Sequence, residues 1–294
     1  MSGAAPRSWQ LLALLEETSR FFAAKKLDSP RLQAELLLAD VLAVKRLDLY
    51  LRFDQVLSPA QVDAYREYVR QRVRGVPLQY ITGKAGFRNL ILAVDQAVLI
   101  PRPETEILVE VALEHLRGCE MPQVLDLGCG SGAIALALAQ ECPSARVKAS
   151  DLSPAALALA RRNARQLELD QRVVFCCGDL LAPLQAAGQF HLIACNPPYV
   201  GRADLEGLEP QVRDHEPNLA LDGGEDGLDF YRRLAAQAAP FLAPQGLLVL
   251  EVGAGQANEV AGLLEQSGSF APEQVRLDLA GIPRVVSAAR RVGA

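Results

Sequence analysis

The sequence predicts an α/β protein. Its main part is a doubly wound, Rossmann-like and mostly parallel sheet with an antiparallel edge hairpin. A small helical bundle and a β-hairpin linker come first. Three observations carry this reading. From about residue 105, short apolar runs alternate with stretches of helical apolar spacing, the pattern of a parallel sheet covered by helices. Residues 8–74 show helical spacing only. A glycine-rich turn, "LGCGSG" at 127–132, joins the first apolar run of the alternating part to its helix.

The elements follow in order. "SWQLLALLEETSRFFAAKK" is amphipathic at helical period. "SPRLQAELLLADVLA" opens with Ser29 as the expected N-cap and Pro30 at the first helical position. "SPAQVDAYREYVRQRVRG" repeats that start at Ser58 and Pro59, and Gly75 supplies the stop. Arg66, Arg70 and Arg74 share one face of that last helix, read as a solvated stripe. "VPLQYITGKAGFRNLILAV", rich in β-branched and aromatic residues around a Gly-Lys-Ala-Gly turn, predicts a hairpin linker over 76–98. The expected domains are therefore 1–75, a helical candidate for substrate recognition, the linker 76–98, and 99–294. Strands are predicted at 123–127, 146–150, 172–177, 190–195 and 246–251, with helices at 132–141, 154–167, 226–240 and 255–267. "EQVRLDLAGIPRVVSAAR" adds two strands around a turn at Gly281–Pro283.

Composition narrows the function classes. Half of the 294 residues are hydrophobic and 22% are charged, as in a globular protein with a real core. No apolar run reaches the length that spans a bilayer. Glu16 and Glu17 interrupt the N-terminal apolar patch, so a helix is expected there rather than a signal peptide. The six cysteines form no C-x-x-C pair, and the three histidines have no partner at ligand spacing. Buried thiols in a reducing cytoplasm, and no metal site, are expected. Residues 1–75 hold 12 Lys+Arg and 9 Asp+Glu, and the remainder 18 and 26. The alternating part thus carries −8, which opposes binding a phosphate backbone.

Three turns compose a cofactor site. Gly128, Gly130 and Gly132 permit a sharp turn and close approach of a ligand, with Cys129 and Ser131 between them. The spacing is G-x-G-x-G, not the G-x-G-x-x-G of dinucleotide sites, and no Lys or Arg stands in the turn to meet a pyrophosphate. Asp151 ends the next strand, where a carboxylate can accept both hydroxyls of a ribose. Asp179 and Leu180 follow the third, placed to accept from an adenine amino group and to cover its ring. S-adenosylmethionine fits these turns better than NAD.

The fourth turn carries chemistry. "CNPPYV" halts the strand 190–195 on a polar amide followed by two prolines. In a doubly wound sheet this strand neighbours the one that feeds the glycine turn, so both turns open into one crevice. The Asn196 oxygen and the Pro197 carbonyl can each accept one N–H of a planar amine, an arrangement that positions the group and favours charge developing on nitrogen. Pro197 and Pro198 stiffen the backbone, and Tyr199 offers a flat wall. Four residues leave the amine open: a glutamine side chain or an adenine.

The chain resembles the HemK/PrmC family of protein-(glutamine-N5) methyltransferases, which modify peptide chain release factors. The resemblance runs in order through "PLQYITG" (77–83), "VLIPRPETE" (98–106), "LDLGCGSGAIALALA" (125–139), "CNPPYV" (195–200), "EPNLALDGGEDGLDFYRRL" (216–234) and "EVGAGQ" (251–256). It implies a class I methyltransferase sheet, S-adenosyl-L-methionine as cofactor, and the glutamine of a release factor's Gly-Gly-Gln loop as acceptor. It places cofactor contacts at Gly128 to Gly132, Asp151, Asp179, Leu180 and Asn196, and the glutamine pocket at Asn196 to Tyr199. It sets the Arg102–Thr105 loop beside the methionyl end. A monomer without nucleic-acid or membrane partners is expected. A glutamine of a ribosomal protein is the alternative acceptor. An adenine of nucleic acid shares NPPY and the glycine turn but lacks a basic groove here.

Overall fold

The computed structural model describes residues 9–184, 190–272 and 274–291. Expectations that fall on residues 1–8, 185–189, 273 and 292–294 lie outside them. The chain divides into two compact units, one ending at Gly83 and the other beginning at Lys84.

The first unit is helical. A two-residue strand β1 (Trp9–Gln10) pairs antiparallel with β2 (Val56–Leu57). Helices α1 (Leu11–Ala24), α2 (Pro30–Val41), α3 (Pro59–Val73) and the short α4 (Leu78–Thr82) surround one core that includes Leu15, Phe22, Leu37, Leu38 and Tyr65. Ser58 caps α3 as expected, accepting from the Gln61 N–H while the Gln61 side chain accepts from the Ser58 N–H. Ser29 does not cap α2: it sits at φ +44, left-handed, instead of in the extended conformation that turns a cap oxygen back on the helix. Buried Glu35 is held by Arg31, Arg46 and Tyr50. Arg66 and Arg70 pair at the surface with Asp63 and Glu67.

The expected linker resolves differently. "LQYIT" is helix α4, set between Pro77 and the left-handed Gly83. The hairpin is β3 (Lys84–Phe87) and β4 (Leu90–Ala93), turning at Arg88–Asn89 and not at the glycine pair. Gly86 lies inside the strand, and Arg88 adopts the positive φ of the turn. Phe87, Leu90 and Leu92 are buried in the core of the second unit. Arg88 ties the turn down through Glu141 and Glu106.

The second unit continues with α5 (Thr105–Leu116), β5 (Gln123–Leu127), α6 (Ala133–Glu141), β6 (Arg146–Asp151), α7 (Pro154–Gln166), β7 (Val173–Cys177) and β8 (Phe190–Cys195). Then come α8 (Pro210–Arg213), α9 (Asp229–Gln237), β9 (Leu242–Glu251), α10 (Ala257–Gln266), β10 (Gln274–Leu277) and β11 (Pro283–Ala289). The seven strands lie in the order β10-β11-β9-β8-β5-β6-β7. β7, β6, β5, β8 and β9 are parallel, whereas β11 runs antiparallel to both of its neighbours, β9 and β10. This is the doubly wound class I methyltransferase sheet with its antiparallel edge.

Strand periodicity builds the two faces. Along β8, Leu192 and Ala194 enter the core beneath α5, α6 and α7, while Ile193 and Cys195 enter the core beneath α9 and α10. A strand covered on both sides reads as a continuous apolar run, which "FHLIAC" does. The helix expected over 226–240 begins at Asp229, because the two glycines and Asp222–Asp226 before it form turns.

Candidate active site

The chain reverses winding between β5 and β8, and the turns beyond their C-terminal ends open together. A cavity of about 400 Å³ lies there, within the usual range for small-molecule sites. Residues after β5, β6, β7 and β8 all line it: Gly128 to Ser131, Asp151, Gly178 to Leu180, and Asn196 to Pro198.

Gly128 and Gly130 have φ of +69° and +54°, and a Cβ built on either meets nothing within 4 Å. The backbone there is bent in a way that disfavours a side chain and leaves bare main chain facing the cavity. Gly132 serves packing instead: its Cβ would meet Leu136 and Ala160 at 3.1 and 3.4 Å. Buried Asn163 on α7 donates to the Ser131 carbonyl at 2.9 Å and pairs with both the N–H and the carbonyl of Ala93. The turn is thereby pinned to the hairpin.

Asp151 has a role that spacing does not reveal. Oδ2 accepts from the Gly130 N–H at 2.8 Å and Oδ1 from the Ser153 N–H at 2.8 Å. The carboxylate clamps the glycine turn to the start of α7, and each oxygen retains a lone pair for a ligand hydroxyl. Ser153 caps α7 by accepting from Ala156. Asp179 is engaged as well, its Oδ2 accepting from Arg233 at 2.6 Å, and Arg233 also lies over the Phe230 ring. Leu180 is buried at the cavity.

On the other wall, the Asn196 Nδ2–H donates to the Thr105 hydroxyl at 3.2 Å. Among the described residues nothing donates to Asn196 Oδ1 or to the Pro197 carbonyl. Two acceptors therefore stand unspent at the cavity. Tyr199 departs from the expectation. It does not line the cavity; its ring packs against the core beneath α9 and α10, with Cδ2 close to Gly253. Burial pushes its phenol up and keeps it neutral. Its carbonyl accepts from Gln256 Nε2 at 3.0 Å.

Several contributors carry no residue-level signal in the sequence. Glu216, nearly buried, accepts from Arg102 at 2.5 Å and from the Ile100 N–H at 3.2 Å, which locks the "IPRPET" loop at the cavity. Thr105, Phe230 and Arg233 also line it. A signal exists only in the segments "VLIPRPETE" and "EPNLALDGGEDGLDFYRRL" as wholes. Asp126, at the end of β5, is fully buried. Burial raises its carboxyl to about 7, against the hydrogen bond from the Ala135 N–H. Burial likewise pushes the Cys129 and Cys195 thiols up, which keeps them protonated. No cluster of metal-ligating side chains occurs among the described residues, and no described helix is long and apolar enough to cross a membrane.

Comparison with known proteins agrees along the chain. Residues 13–83 match the PrmC N-terminal domain, and residues 104–208 match the methyltransferase small domain. A release factor glutamine methyltransferase of Moorella thermoacetica is 47% identical over 94% of this chain and 97% of its own. One of Geobacter sulfurreducens is 44% identical over 96% and 97%. A crystal structure of a protein-(glutamine-N5) methyltransferase (release factor-specific) from Alicyclobacillus acidocaldarius is 34% identical, covering 66% of this chain and 95% of that one at a TM-score of 0.41. With identity of this order running through both units, the chain belongs to the release factor glutamine methyltransferase family.

Proposed function

We propose that the protein transfers a methyl group from S-adenosyl-L-methionine to the side-chain amide nitrogen of a glutamine in a peptide chain release factor, the one in its Gly-Gly-Gln motif. The observation that carries the reading is the pair of unspent acceptors, Asn196 Oδ1 and the Pro197 carbonyl, at the cavity beside the bare glycine turn. A primary amide presents two N–H groups in one plane, and two acceptors on one rigid turn suit it. Family membership adds the acceptor, which the site alone leaves between amide and aromatic amine.

The residues present fit the cofactor. Gly128 and Gly130 offer a cradle that any Cβ would fill, Asp151 keeps acceptor capacity for ribose hydroxyls, and Leu180 supplies an apolar cover. Asp179 and Arg233 would border the base as an ion pair, so Asp179 would accept with its free oxygen. When bound, S-adenosylmethionine supplies an electrophilic methyl on a positively charged sulfur. Asn196 and Pro197 hold the acceptor nitrogen and favour the positive charge it gains as its lone pair is used. The N–H proton turns acidic at that point and leaves for solvent, so the site needs no strong base. Cys129 and Cys195 stay protonated and take no nucleophilic part.

The test is direct. Purified protein, methyl-labelled S-adenosylmethionine and a bacterial release factor should yield label on the Gly-Gly-Gln glutamine, and a glutamine-to-alanine factor should remain unlabelled. Label on DNA, RNA or a ribosomal protein but none on the factor would reject the reading.

A further inference from the structure

Two segments that the sequence marks as distinctive, "VLIPRPETE" and "EVGAGQ", meet behind the catalytic amide. Thr105 opens α5 and is 4% exposed; Glu251 ends β9 and is 2% exposed. The Thr105 hydroxyl accepts from the Asn196 Nδ2–H at 3.2 Å. The Glu251 carboxylate lies close enough to the same side chain for its charged form to be favoured by it, and its buried Oε2 has no partner among the described residues. Neither residue is one of the two acceptors; Thr105 lines the cavity and Glu251 stands behind it.

A threonine hydroxyl has one proton to donate and two lone pairs. An ionised carboxylate only accepts, so a buried, unsatisfied Glu251 beside the hydroxyl draws the Thr105 proton toward itself and leaves lone pairs to face Asn196. The amide of Asn196 then has one favourable orientation, Nδ2 toward Thr105 and Oδ1 toward the cavity. The reverse orientation would set the Asn196 N–H groups against the N–H groups of the acceptor, and an oxygen against the lone pairs of Thr105. We propose that Thr105, backed by Glu251, is a positioning residue that fixes which way the Asn196 amide faces and so makes the site prefer an acceptor with two N–H donors over a carboxylate of the same shape. The proposal rests on the assignment of Asn196 as the acceptor-holding group.

The surroundings suit this arrangement. Burial raises the Glu251 carboxyl to about 7, and nearby Glu104 adds to this; Thr105, Arg284 and Arg102 favour the charged form. Tyr199, Tyr231 and Cys195 also feel its charge, and each stays protonated. Assays above pH 8 hold Glu251 ionised, the state in which the orientation argument applies.

The experiment uses the full chain with S-adenosylhomocysteine present. It measures binding of a release factor and of the same factor with its acceptor glutamine changed to glutamate. Wild type is expected to favour the glutamine form by about tenfold, the scale of a buried donor or acceptor left unsatisfied. Thr105→Val, nearly isosteric, should narrow that preference to about threefold or less and lower kcat, because the amide is free to turn. Thr105→Ser, which restores the hydroxyl, should recover both. If Thr105→Val does not fold, Glu251→Gln decides: its carboxamide both donates and accepts, so the Thr105 proton is no longer directed and the preference should narrow. A folded Thr105→Val that keeps the wild-type preference overturns the proposal. So does Thr105→Ser failing as fully as valine, or an unchanged Glu251→Gln where it is the deciding variant. If wild type does not methylate the factor at all, the functional reading itself falls and takes this proposal with it.

Discussion

Changing Asp151 to asparagine removes one charge and one acceptor at the point where the glycine turn is both folded and used. In the folded protein Oδ2 takes the Gly130 N–H and Oδ1 the Ser153 N–H, each at 2.8 Å. An asparagine can satisfy one of these donors, while its NH₂ faces the other. Hydrogen bonds to a charged acceptor contribute about 1.5–3 kcal/mol each. Asp151 is only half-buried, so the low end applies, about 1.5–2 kcal/mol of stability. In a chain of this size that is a fall in Tm of about 4–6 °C. The ribose hydroxyls lose an acceptor of the same kind, so the cofactor Kd should rise about 10- to 100-fold. Titration calorimetry with S-adenosylhomocysteine measures the second effect and a thermal melt the first. Asp151→Glu should rescue neither, since one extra methylene displaces both oxygens from their N–H partners. A Kd within about threefold of wild type would refute the ribose role, because the loss of a single charged acceptor exceeds that. An unchanged Tm would refute the clamp.

Asn196→Ala should leave the melting curve in place and lower kcat about 10²- to 10³-fold, as for removal of one preorganised group that stabilises developing charge. Single-turnover methylation of the factor measures it. Asn163→Ala removes three hydrogen bonds of a buried side chain that join Ala93 to Ser131. It should cost about 2–4 kcal/mol of stability in urea unfolding, with its unpaired backbone groups as the cause. Asp126 has a folded-state pKa of about 7, above its unfolded value. Its contribution to stability is complete below about pH 4 and is lost as pH rises through 7. Asp126→Asn should gain on wild type progressively across that interval, reaching about 4 kcal/mol above pH 7, because each tenfold change in proton affinity on folding is worth about 1.4 kcal/mol. Parallel stability curves for the two proteins would refute it.

Much of the sheet is legible because its strands are covered on both faces. "FHLIAC" and "QVLDL" are mostly apolar and lack a polar–apolar alternation, and the structure makes them the central neighbours β8 and β5. The turn positions at the ends of the parallel strands are legible for the same reason: Gly128, Asp151, Asp179 and Asn196 each interrupt an apolar pattern, and all four reach the cavity. What spacing does not disclose is which bonds a polar residue has already made. By spacing alone Asp151 and Asp179 are free acceptors, yet one clamps a turn and the other pairs with Arg233, 54 residues away. Tyr199 follows the prolines and so suggests a wall, but the chain rotates its ring into the core against Gly253. Glu216 and Glu251 look like ordinary acidic residues in a chain of net charge −5; only the tertiary fold buries them. In the hairpin, Gly83 and Gly86 misplace the turn, because Gly83 ends a helix while Arg88 takes the positive φ.

The glycines that surround NPPY have a consequence for redesign. A Cβ on Gly223 would come within 2.8 Å of the Pro198 carbonyl and the Tyr199 Cα, and one on Gly227 would strike the Tyr199 carbonyl. Gln256 then bolts that carbonyl from the other side. The acceptor half of the cleft is thus cast in main chain, whereas the cofactor half is finished with side chains such as Leu180, Phe230 and Arg233. Point substitution can retune the second half by degrees. The first half offers no such dial: beyond Asn196 its mould has few side chains to trade, and enlarging a glycine pushes on the Pro198 and Tyr199 backbone that carries the Pro197 acceptor. A laboratory search for cofactor analogues has many small steps available, and a search for a new acceptor group begins with remodelling a loop.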